Sequence, residues 1–247
     1  MGFIGVIDSG VGGLTVLQRL RQNYAYDFVY VADHAYCPYG AKSNDVVFSR
    51  ASALVQYLKN NGAQAVVLAC NTMSVYAKQL QQLYEVPVYD VITPTCKRIV
   101  ESGVKSVALL ATRSTIANGM YQENLSRHGI DVVPFDCSAF VPFVEQRTAT
   151  SLACQQTVNN ALHALPEAHV DAVILGCTHF PLLRRQISYY CAHADIIECS
   201  CDLPCCIFTA SAQRKDVIYL TTGNVDFADF AAGGIRGSDA RFKHISL

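Results

Sequence analysis

The stretch Ala65-Val-Val-Leu-Ala-Cys70-Asn71-Thr72 has a near copy in Ala172-Val-Ile-Leu-Gly-Cys177-Thr178-His179. Each run is short, apolar and rich in β-branched residues, and each stops at a cysteine followed by small polar residues. This pattern is typical of a buried strand that ends at a turn. The two copies lie far apart in the chain, so they predict an approximate internal duplication.

Strand-like and helix-like segments alternate around both copies. Strands are predicted over residues 3–7, 28–32, 65–68, 86–92, 106–111, 130–134, 172–175, 196–198 and 217–222, and helices over segments such as 14–22, 45–60 and 115–127. Such alternation predicts an α/β protein with parallel sheets and helices on both faces. With the duplication, it predicts two similar open parallel-sheet domains with the active site in the cleft between them. The expected domains are residues 1–93 plus 211–247 and residues 94–210, with crossovers at 86–95 and 200–213.

The composition is that of an ordinary globular protein, with 247 residues, 51% hydrophobic residues and a formal net charge of −1. This charge gives no reason to expect a nucleic-acid or membrane partner. The first residues lack the basic and long apolar regions of a signal peptide, and no apolar stretch approaches the roughly 20 residues of a membrane span. We therefore expect a cytoplasmic protein.

Eleven cysteines are many for a chain of this length. A disulfide framework belongs mainly to short secreted chains, which this is not. The densest group contains no C-x-x-C pair, which argues against a metal centre; it comprises Cys191, Cys199, Cys201, Cys205 and Cys206. Most of these thiols are expected to be small buried hydrophobes in a reducing compartment.

Cys70 and Cys177 are the candidate catalytic residues. In an open α/β sheet the carboxyl ends of the strands face the ligand crevice, so two related halves can bring two thiols to one cleft from opposite sides. A helix that starts after each strand favours the thiolate and is expected to lower the cysteine pKa. Two such groups can remove a proton from one face of a carbon and return another to the opposite face. The pair predicts a racemase that needs no cofactor and no metal. The alternative, that both are ordinary buried strand ends, is disfavoured by the matching flanks.

The first strand is followed by Asp8-Ser9-Gly10-Val-Gly12-Gly13-Leu14. In a dinucleotide-binding fingerprint the third glycine would fall at Thr15, so NAD binding is rejected. The glycines still let backbone N–H groups approach an anion at a helix N-terminus, such as a substrate carboxylate. Asp8 is either a catalytic group or a simple helix cap.

Further polar residues follow the two cysteines. Asn71, Thr72 and Thr178 offer hydrogen-bond partners for a carboxylate. His179 is either a proton partner of its cysteine or a structural histidine.

Three more segments have both a functional and an ordinary interpretation. The rigid turn Pro38-Tyr39-Gly40 can present Tyr39 and backbone amides to a ligand, or it is only a loop. Thr112 and Thr115 form a hydroxyl-rich helix start that suits a carboxylate, or a plain cap. Glu145 lies beside an apolar run, and its surroundings are left open by the sequence.

Taken in order, these segments resemble the glutamate racemases of the cofactor-independent aspartate/glutamate racemase superfamily. The matching residues are Asp8-Ser9-Gly10-Val-Gly12-Gly13-Leu14, Ala32-Asp33, Pro38-Tyr39-Gly40, Ala69-Cys70-Asn71-Thr72, Val144-Glu145, Leu175-Gly-Cys177-Thr178-His179-Phe-Pro-Leu-Leu183 and Thr221-Thr222-Gly223-Asn224. The chain departs from the usual pattern at Met73, around Asp90 and Thr93, and in the cysteine-rich segment 199–206.

The resemblance implies a cytoplasmic bacterial homodimer that makes D-glutamate for peptidoglycan without a cofactor, and L- and D-glutamate as its small-molecule partners. It implies that Cys70 takes the proton from D-glutamate and Cys177 from L-glutamate. It further implies that Asp8, Glu145 and His179 assist the cysteines. The implied substrate-binding residues are Ser9, Pro38, Tyr39, Gly40, Asn71, Thr72, Thr112, Thr115 and Thr178.

Three other functions stay open. An aspartate or broad-specificity racemase would share the chemistry, but aspartate racemases usually carry a glutamate where this chain has His179. A hydrolase or transferase using Cys177 with His179 would leave the copy at Cys70 unexplained. A regulatory role without catalysis finds no support in the near-neutral charge.

Overall fold

The computed structural model describes residues 2–191, 194–199, 216–235 and 239–247. Within these ranges the strands are β1 (Phe3–Asp8), β2 (Phe28–Ala32), β3 (Ala63–Leu68), β4 (Val88–Asp90), β5 (Ser106–Ala111), β6 (Asp131–Asp136), β7 (Ala172–Gly176), β8 (Asp195–Glu198), β9 (Val217–Thr221) and β10 (Phe242–His244). They form a six-stranded sheet in the order β10-β9-β2-β1-β3-β4 and a four-stranded sheet in the order β6-β5-β7-β8. Every pair of neighbouring strands is parallel, which confirms the predicted α/β class.

Helices connect these strands. In the same ranges they are α1 (Leu14–Asn23), α2 (Asn44–Asn60), α3 (Asn71–Ser74), α4 (Ala77–Tyr84), α5 (Ile92–Ser102), α6 (Arg113–Asn118), α7 (Met120–Ser126), α8 (Val141–Glu145), α9 (Leu152–Leu162), α10 (Arg184–Ser188) and α11 (Val225–Ala232). Single 3₁₀ turns occur at His34–Tyr36, Tyr39–Ala41, Ser138–Phe140, Pro166–Ala168 and Phe180–Leu183. No helix in the described part of the chain is long and apolar enough to cross a membrane.

The central strand β1 is covered on both faces. Val6 belongs to the core cluster that contains Leu17 of α1, whereas Ile7 belongs to a second cluster with Leu54 of α2. Successive side chains of a strand point to opposite faces of the sheet. Because helices cover both faces, side chains on both faces are buried, and the strand is an unbroken run of apolar residues. Burying each such leucine contributes about 1.5–3 kcal/mol.

The structure corrects three details of the predicted elements. The helix expected over residues 115–127 is two helices, because Gly119 between them has a φ of 73°. The strand expected over 86–92 is limited to Val88–Asp90, since the Asp90 carboxylate accepts hydrogen bonds from the N–H groups of Ile92 and Thr93 and so starts α5 early. The edge strand β10 was not predicted at all. The crossover expected at 200–213, like Cys201, Cys205 and Cys206, lies outside the described residues.

Each sheet takes its strands from one of the two predicted domains. Strands β1 to β4, β9 and β10 belong to the first sheet, and β5 to β8 belong to the second. The division into residues 1–93 plus 211–247 and residues 94–210 stays a proposal, and its second boundary falls in residues that the structure does not describe.

Candidate active site

The carboxyl ends of three strands carry four of the five predicted catalytic residues. Asp8 is the last residue of β1, and Cys70 follows β3, its neighbour in the first sheet. Cys177 and then His179 follow β7 of the second sheet. Cys70 and Cys177 are each 7% exposed, and Thr178, the neighbour of Cys177, is hydrogen-bonded to Asp8 at the end of β1. The two cysteines therefore approach one another from different sheets.

Asp8 joins the two sheets. It is fully buried, and one carboxylate oxygen accepts a hydrogen bond of 2.9 Å from the N–H of Gly10. The other accepts a hydrogen bond of 3.0 Å from the hydroxyl of Thr178. Burial raises the pKa of Asp8, although the positive charge of His179 and these two hydrogen bonds oppose the shift. A carboxyl group held in this way can exchange a proton with a neighbour more readily than an exposed one.

His179 lies between Glu145 and Cys177. Its Nε2 atom is 2.6 Å from Oε1 of Glu145, and its Nδ1 atom is 3.7 Å from Sγ of Cys177. Burial alone lowers the pKa of His179, but the contacts with Cys177 and Glu145 outweigh it and raise the pKa well above its usual range. His179 is thus placed to exchange a proton with the Cys177 thiol.

Glu145 is a buried carboxylate and not a surface helix residue. Its Oε1 atom also accepts a hydrogen bond of 2.9 Å from the N–H of Val11. Burial alone raises the pKa of Glu145, but hydrogen bonds from His179 and His34 bring it well below its usual range. Glu145 is therefore held as an anion beside His179.

The glycine run after β1 allows this close packing. A Cβ atom on Gly12 would lie 2.6 Å from Oγ1 of Thr178 and still nearer to Nδ1 of His179. A Cβ atom on Gly10 would overlap Oε1 of Glu145. The glycines thus let the first sheet's turn reach the catalytic groups of the second.

The expectation of a lowered pKa is wrong for Cys70. Burial raises the pKa of this thiol, and the charges of Asp8 and Cys177 raise it further. The N–H groups of Met73 and Thr72 oppose the shift without offsetting it, and α3 is only four residues long. Desolvation of the thiolate exceeds the help of one helical turn. Cys70 is therefore a protonated thiol at neutral pH.

Three threonine hydroxyls form a buried cluster. Thr72 Oγ1 lies 3.2 Å from Oγ1 of Thr112 and 3.2 Å from Oγ1 of Thr115. The last two are 3.0 Å apart, and Thr112 also caps α6 by accepting a hydrogen bond from the N–H of Thr115. The two interpretations of Thr112 are thus compatible, because the capping residue also belongs to the hydroxyl cluster.

Asn71 has one end of its amide occupied. Its Oδ1 atom accepts a hydrogen bond of 2.8 Å from the Tyr121 hydroxyl and one of 3.3 Å from the Cys199 thiol. Its Nδ2 atom is buried and has no hydrogen-bond partner among the described residues. Buried donors are rarely left unpaired, so this amide suits a ligand acceptor such as a carboxylate.

The turn at residues 38–40 is held in place by hydrogen bonds to Asp33. The Tyr39 side chain is buried, and its hydroxyl donates a 2.5 Å hydrogen bond to Oδ2 of Asp33. Arg50 donates two further hydrogen bonds to the Asp33 carboxylate, and the Thr222 hydroxyl donates a fourth. The Tyr39 hydroxyl is thus engaged, and the carbonyl oxygens of Pro38, Tyr39 and Gly40 accept hydrogen bonds from Ala41, Lys42 and Ser114. The turn can therefore meet a ligand through the backbone N–H groups of Tyr39 and Gly40.

The remaining predicted residue, Ser9, is buried and hydrogen-bonded to the Cys37 thiol. Sequence reasoning gave no role to Asp33, His34, Arg50 or Tyr121. Asp33 and Thr222 were visible only as matches to the family. No sequence motif points to His34, Arg50 or Tyr121. Each acquires its role from a hydrogen-bond partner distant in the chain, which the local sequence does not show.

Comparisons with known proteins agree with this geometry. Residues 4–199 match the family model described as Asp/Glu/Hydantoin racemase. A glutamate racemase of Aquifex aeolicus is 38% identical over 200 residues, which cover 80% of this chain and 78% of that protein. The crystal structure of glutamate racemase isoform RacE1 from Bacillus anthracis has a TM-score of 0.88 at 29% identity and covers 100% of this chain and 98% of its own. The structure of a Thermus thermophilus glutamate racemase in complex with β-chloro-D-alanine has a TM-score of 0.86 at 28% identity, with 100% and 97% covered.

Proposed function

Because this chain belongs to the Asp/Glu/Hydantoin racemase family and is an amino-acid racemase, we propose that it interconverts L- and D-glutamate with two cysteines and no cofactor. One observation carries the proposal. Two buried thiols, Cys70 and Cys177, follow strands of two different sheets, and each has an acid–base neighbour of its own, Asp8 for Cys70 and His179 for Cys177. Two-base racemisation needs this pair of proton carriers.

The reaction exchanges one proton for another at Cα. A thiolate on one side takes the Cα proton and becomes a thiol, while the electron pair of the broken C–H bond is held by the adjacent carboxylate group. The thiol on the opposite side then gives its proton to the other face of Cα and becomes a thiolate. Each turnover inverts the carbon and reverses the protonation states of the two cysteines.

We next assign to each cysteine the reaction direction in which it acts as the base. Cys70, whose pKa burial raises, is a proton donor in the ligand-free site. Cys177 has His179 at 3.7 Å to receive its proton. The resemblance to glutamate racemases implies that Cys177 removes the proton from L-glutamate, and we assign it that step. In the reverse direction, Asp8 takes the Cys70 proton as D-glutamate binds, and Cys70 acts as the base.

Donors for two carboxylates surround the cysteines. We assign to substrate binding the unpaired Nδ2 atom of Asn71, the hydroxyls of Thr72, Thr112 and Thr115, and Ser9 with the backbone of residues 38–40. Thr178 donates its proton to Asp8, so we assign to its hydroxyl oxygen the role of an acceptor for the substrate ammonium group. His179 in the position after Cys177-Thr178 supports glutamate over aspartate. The glutamate racemase of Aquifex aeolicus, 38% identical, supports the same choice.

The proposal includes a role for the product. A bacterial cytoplasm consumes D-glutamate in peptidoglycan synthesis, and the resemblance to glutamate racemases supports that destination and a homodimeric assembly. Expression of the chain should let a bacterial strain that requires D-glutamate grow without it, whereas the Cys70→Ala variant should not. Analytical ultracentrifugation should give twice the mass of one chain.

Circular dichroism tests the activity directly. Dialysed protein with no added cofactor should racemise L- and D-glutamate to the same end point and leave aspartate nearly unchanged. Cys70→Ser and Cys177→Ser should each abolish racemisation, while Cys154→Ala, which removes another buried thiol, should preserve it. Activity that returned only with pyridoxal phosphate, or that survived in Cys70→Ser, would contradict the proposal. Faster turnover of aspartate than of glutamate would favour the alternative function, an aspartate or broad-specificity racemase.

A further inference from the structure

His34 contacts the catalytic carboxylate from the first half of the molecule. Its side chain is 2% exposed. Its Nε2 atom lies 3.2 Å from Oε2 of Glu145, and its Nδ1 atom lies 3.0 Å from Oγ1 of Thr221 at the end of β9. His34 therefore occupies the carboxylate oxygen that His179 leaves free.

The hydrogen-bond partners of His34 define which atom faces Glu145 as a donor. A carboxylate only accepts hydrogen bonds, so Nε2 of His34 carries a proton and donates to Glu145. The Thr221 hydroxyl accepts a hydrogen bond from the N–H of Gly223 and can donate its own proton to Nδ1. Both ring nitrogens of His34 thus have a hydrogen-bond partner.

Aromatic packing fixes the ring. Phe227 of α11 and Phe242 of β10 meet the imidazole edge-on, with centroids 5.6 Å and 6.1 Å away. A ring held by two aromatic neighbours and two hydrogen bonds has one orientation. The direction of its N–H therefore fixes the rotation of the Glu145 carboxylate.

Glu145 is consequently held by both halves of the molecule. The N–H of Val11 and Nε2 of His34 hold it from the first sheet's side, and Nε2 of His179 contacts it from the second. Without His34, Oε2 would be a buried carboxylate oxygen with no donor among the residues that the structure describes, and the group would turn to share its remaining donors. That rotation would move the partner of His179, whose other nitrogen faces Cys177.

We infer that His34 is a positioning residue that acts through Glu145 and His179 on proton transfer at Cys177. The inference rests on the proposed racemisation. It assigns to the first half of the molecule control over the acid–base partner of the cysteine in the second half.

Primary isotope effects test the inference, because they separate the two proton transfers. We compare His34→Asn, which loses the donor at the Nε2 position, with His34→Gln, whose amide nitrogen can occupy that position. Phe230→Leu, an exposed phenylalanine on the same helix α11, is the control for the loss of an aromatic ring. The value of kcat/KM in His34→Asn should fall about 10- to 100-fold, the loss seen when the hydrogen-bond partner that orients a metal-ligating histidine is removed. It must fall equally for both enantiomers, since their equilibrium constant is one.

The isotope effect on kcat/KM should rise with [2-²H]-L-glutamate, whose proton Cys177 removes, and fall with [2-²H]-D-glutamate. His34→Gln and Phe230→Leu should stay close to the wild type. If His34→Asn does not fold, Thr221→Val removes the hydroxyl that orients the ring and should give a smaller shift in the same sense. Unchanged isotope effects in the folded variant, or an undiminished rate, would overturn the inference. Racemisation by Cys177→Ser would instead refute the proposed function.

Discussion

Thr178 donates a hydrogen bond of 3.0 Å to the carboxylate of Asp8, and this contact links the turn after β7 to the end of β1 in the other sheet. A second contact supports the same turn, because the Thr15 hydroxyl of α1 lies 3.3 Å from the carbonyl oxygen of Thr178. The turn that carries Cys177 is thus held by the first sheet. The distance between the two thiols therefore depends on polar contacts across the cleft as well as on the packing of each half.

Thr178→Val tests this link with little change in shape. The buried Asp8 carboxylate would lose one of its two donors, and a hydrogen bond to a charged group contributes about 1.5–3 kcal/mol. We expect the free energy of unfolding to fall by about this amount and kcat/KM to fall about 10- to 100-fold. Urea denaturation and circular dichroism measure the two effects. Thr157→Val, on the exposed face of α9, is the control and should behave as the wild type. Wild-type activity in Thr178→Val would show that the link is dispensable.

Asp8→Asn and His179→Asn should each impair a different proton transfer. Loss of a positioned acid–base group costs on the order of 10²–10⁴-fold in rate. Pre-steady-state traces should show the larger effect on the Cys70 step for Asp8→Asn and on the Cys177 step for His179→Asn, with an equilibrium constant of one in both. A chelator should leave the wild type active. Near-normal rates in both variants, or inactivation by the chelator, would refute these roles.

Gly12→Ala should inactivate the protein without unfolding it. The new Cβ atom would displace His179 or Thr178, and a shift of about 1 Å at a reacting group can cost 10²-fold in rate. Gly233→Ala is the matched control, because its Cβ atom would meet its nearest neighbours at 3.4 Å. Racemisation rates and the far-ultraviolet spectrum of both variants decide the matter. Equal activity of the two would show that the close approach at Gly12 is unimportant.

The sequence predicted the central strands well and the edges poorly. Strands β1, β2, β5 and β7 are covered on both faces, and continuous apolar runs give a strong signal. Strand β10 is three residues long and only Phe242 is buried, so its pattern is too weak to find. The break at Gly119 was missed because the apolar period continues across it.

Some features of the site could be predicted from the sequence, and others could not. Cys70, Cys177 and Asp8 end buried strands, and their place at the cleft follows from the topology of parallel sheets. The pKa direction of Cys70 did not follow, since it depends on burial and on Asp8, which local sequence does not report. The surroundings of Glu145 were equally invisible, because its partners come from distant segments.

Tyr39→Phe should weaken substrate binding more than catalysis. The variant keeps the buried ring and loses only the hydrogen bond to Asp33, which anchors the turn at residues 38–40. We expect a loss of about 1.5–3 kcal/mol in the free energy of unfolding, since the acceptor is charged. KM for both enantiomers should rise while kcat changes little, because the cysteines are not touched. Steady-state racemisation measures this split, with Tyr57→Phe, a half-buried tyrosine of α2, as control. A fall in kcat at constant KM would contradict a binding role for the turn.

Glu145 should make the stability of the protein depend on acid. Hydrogen bonds from His179 and His34 outweigh burial and hold its pKa well below the usual range, so the folded state binds this proton more weakly than the unfolded chain does. The resulting stability is fully present above the unfolded pKa of about 4.3 and is lost as the pH falls towards the folded value. The uncharged side chain of Glu145→Gln does not titrate, so the wild type should lose stability more steeply than this variant between pH 5 and the acid limit, about pH 3 in practice. Urea denaturation at successive pH values measures the difference, which cancels the effect of the other carboxylates. Glu123→Gln, an exposed partner of Arg127, should follow the wild-type curve. A difference between wild type and Glu145→Gln that stayed constant or grew with acid would mean that Glu145 is not held as an anion.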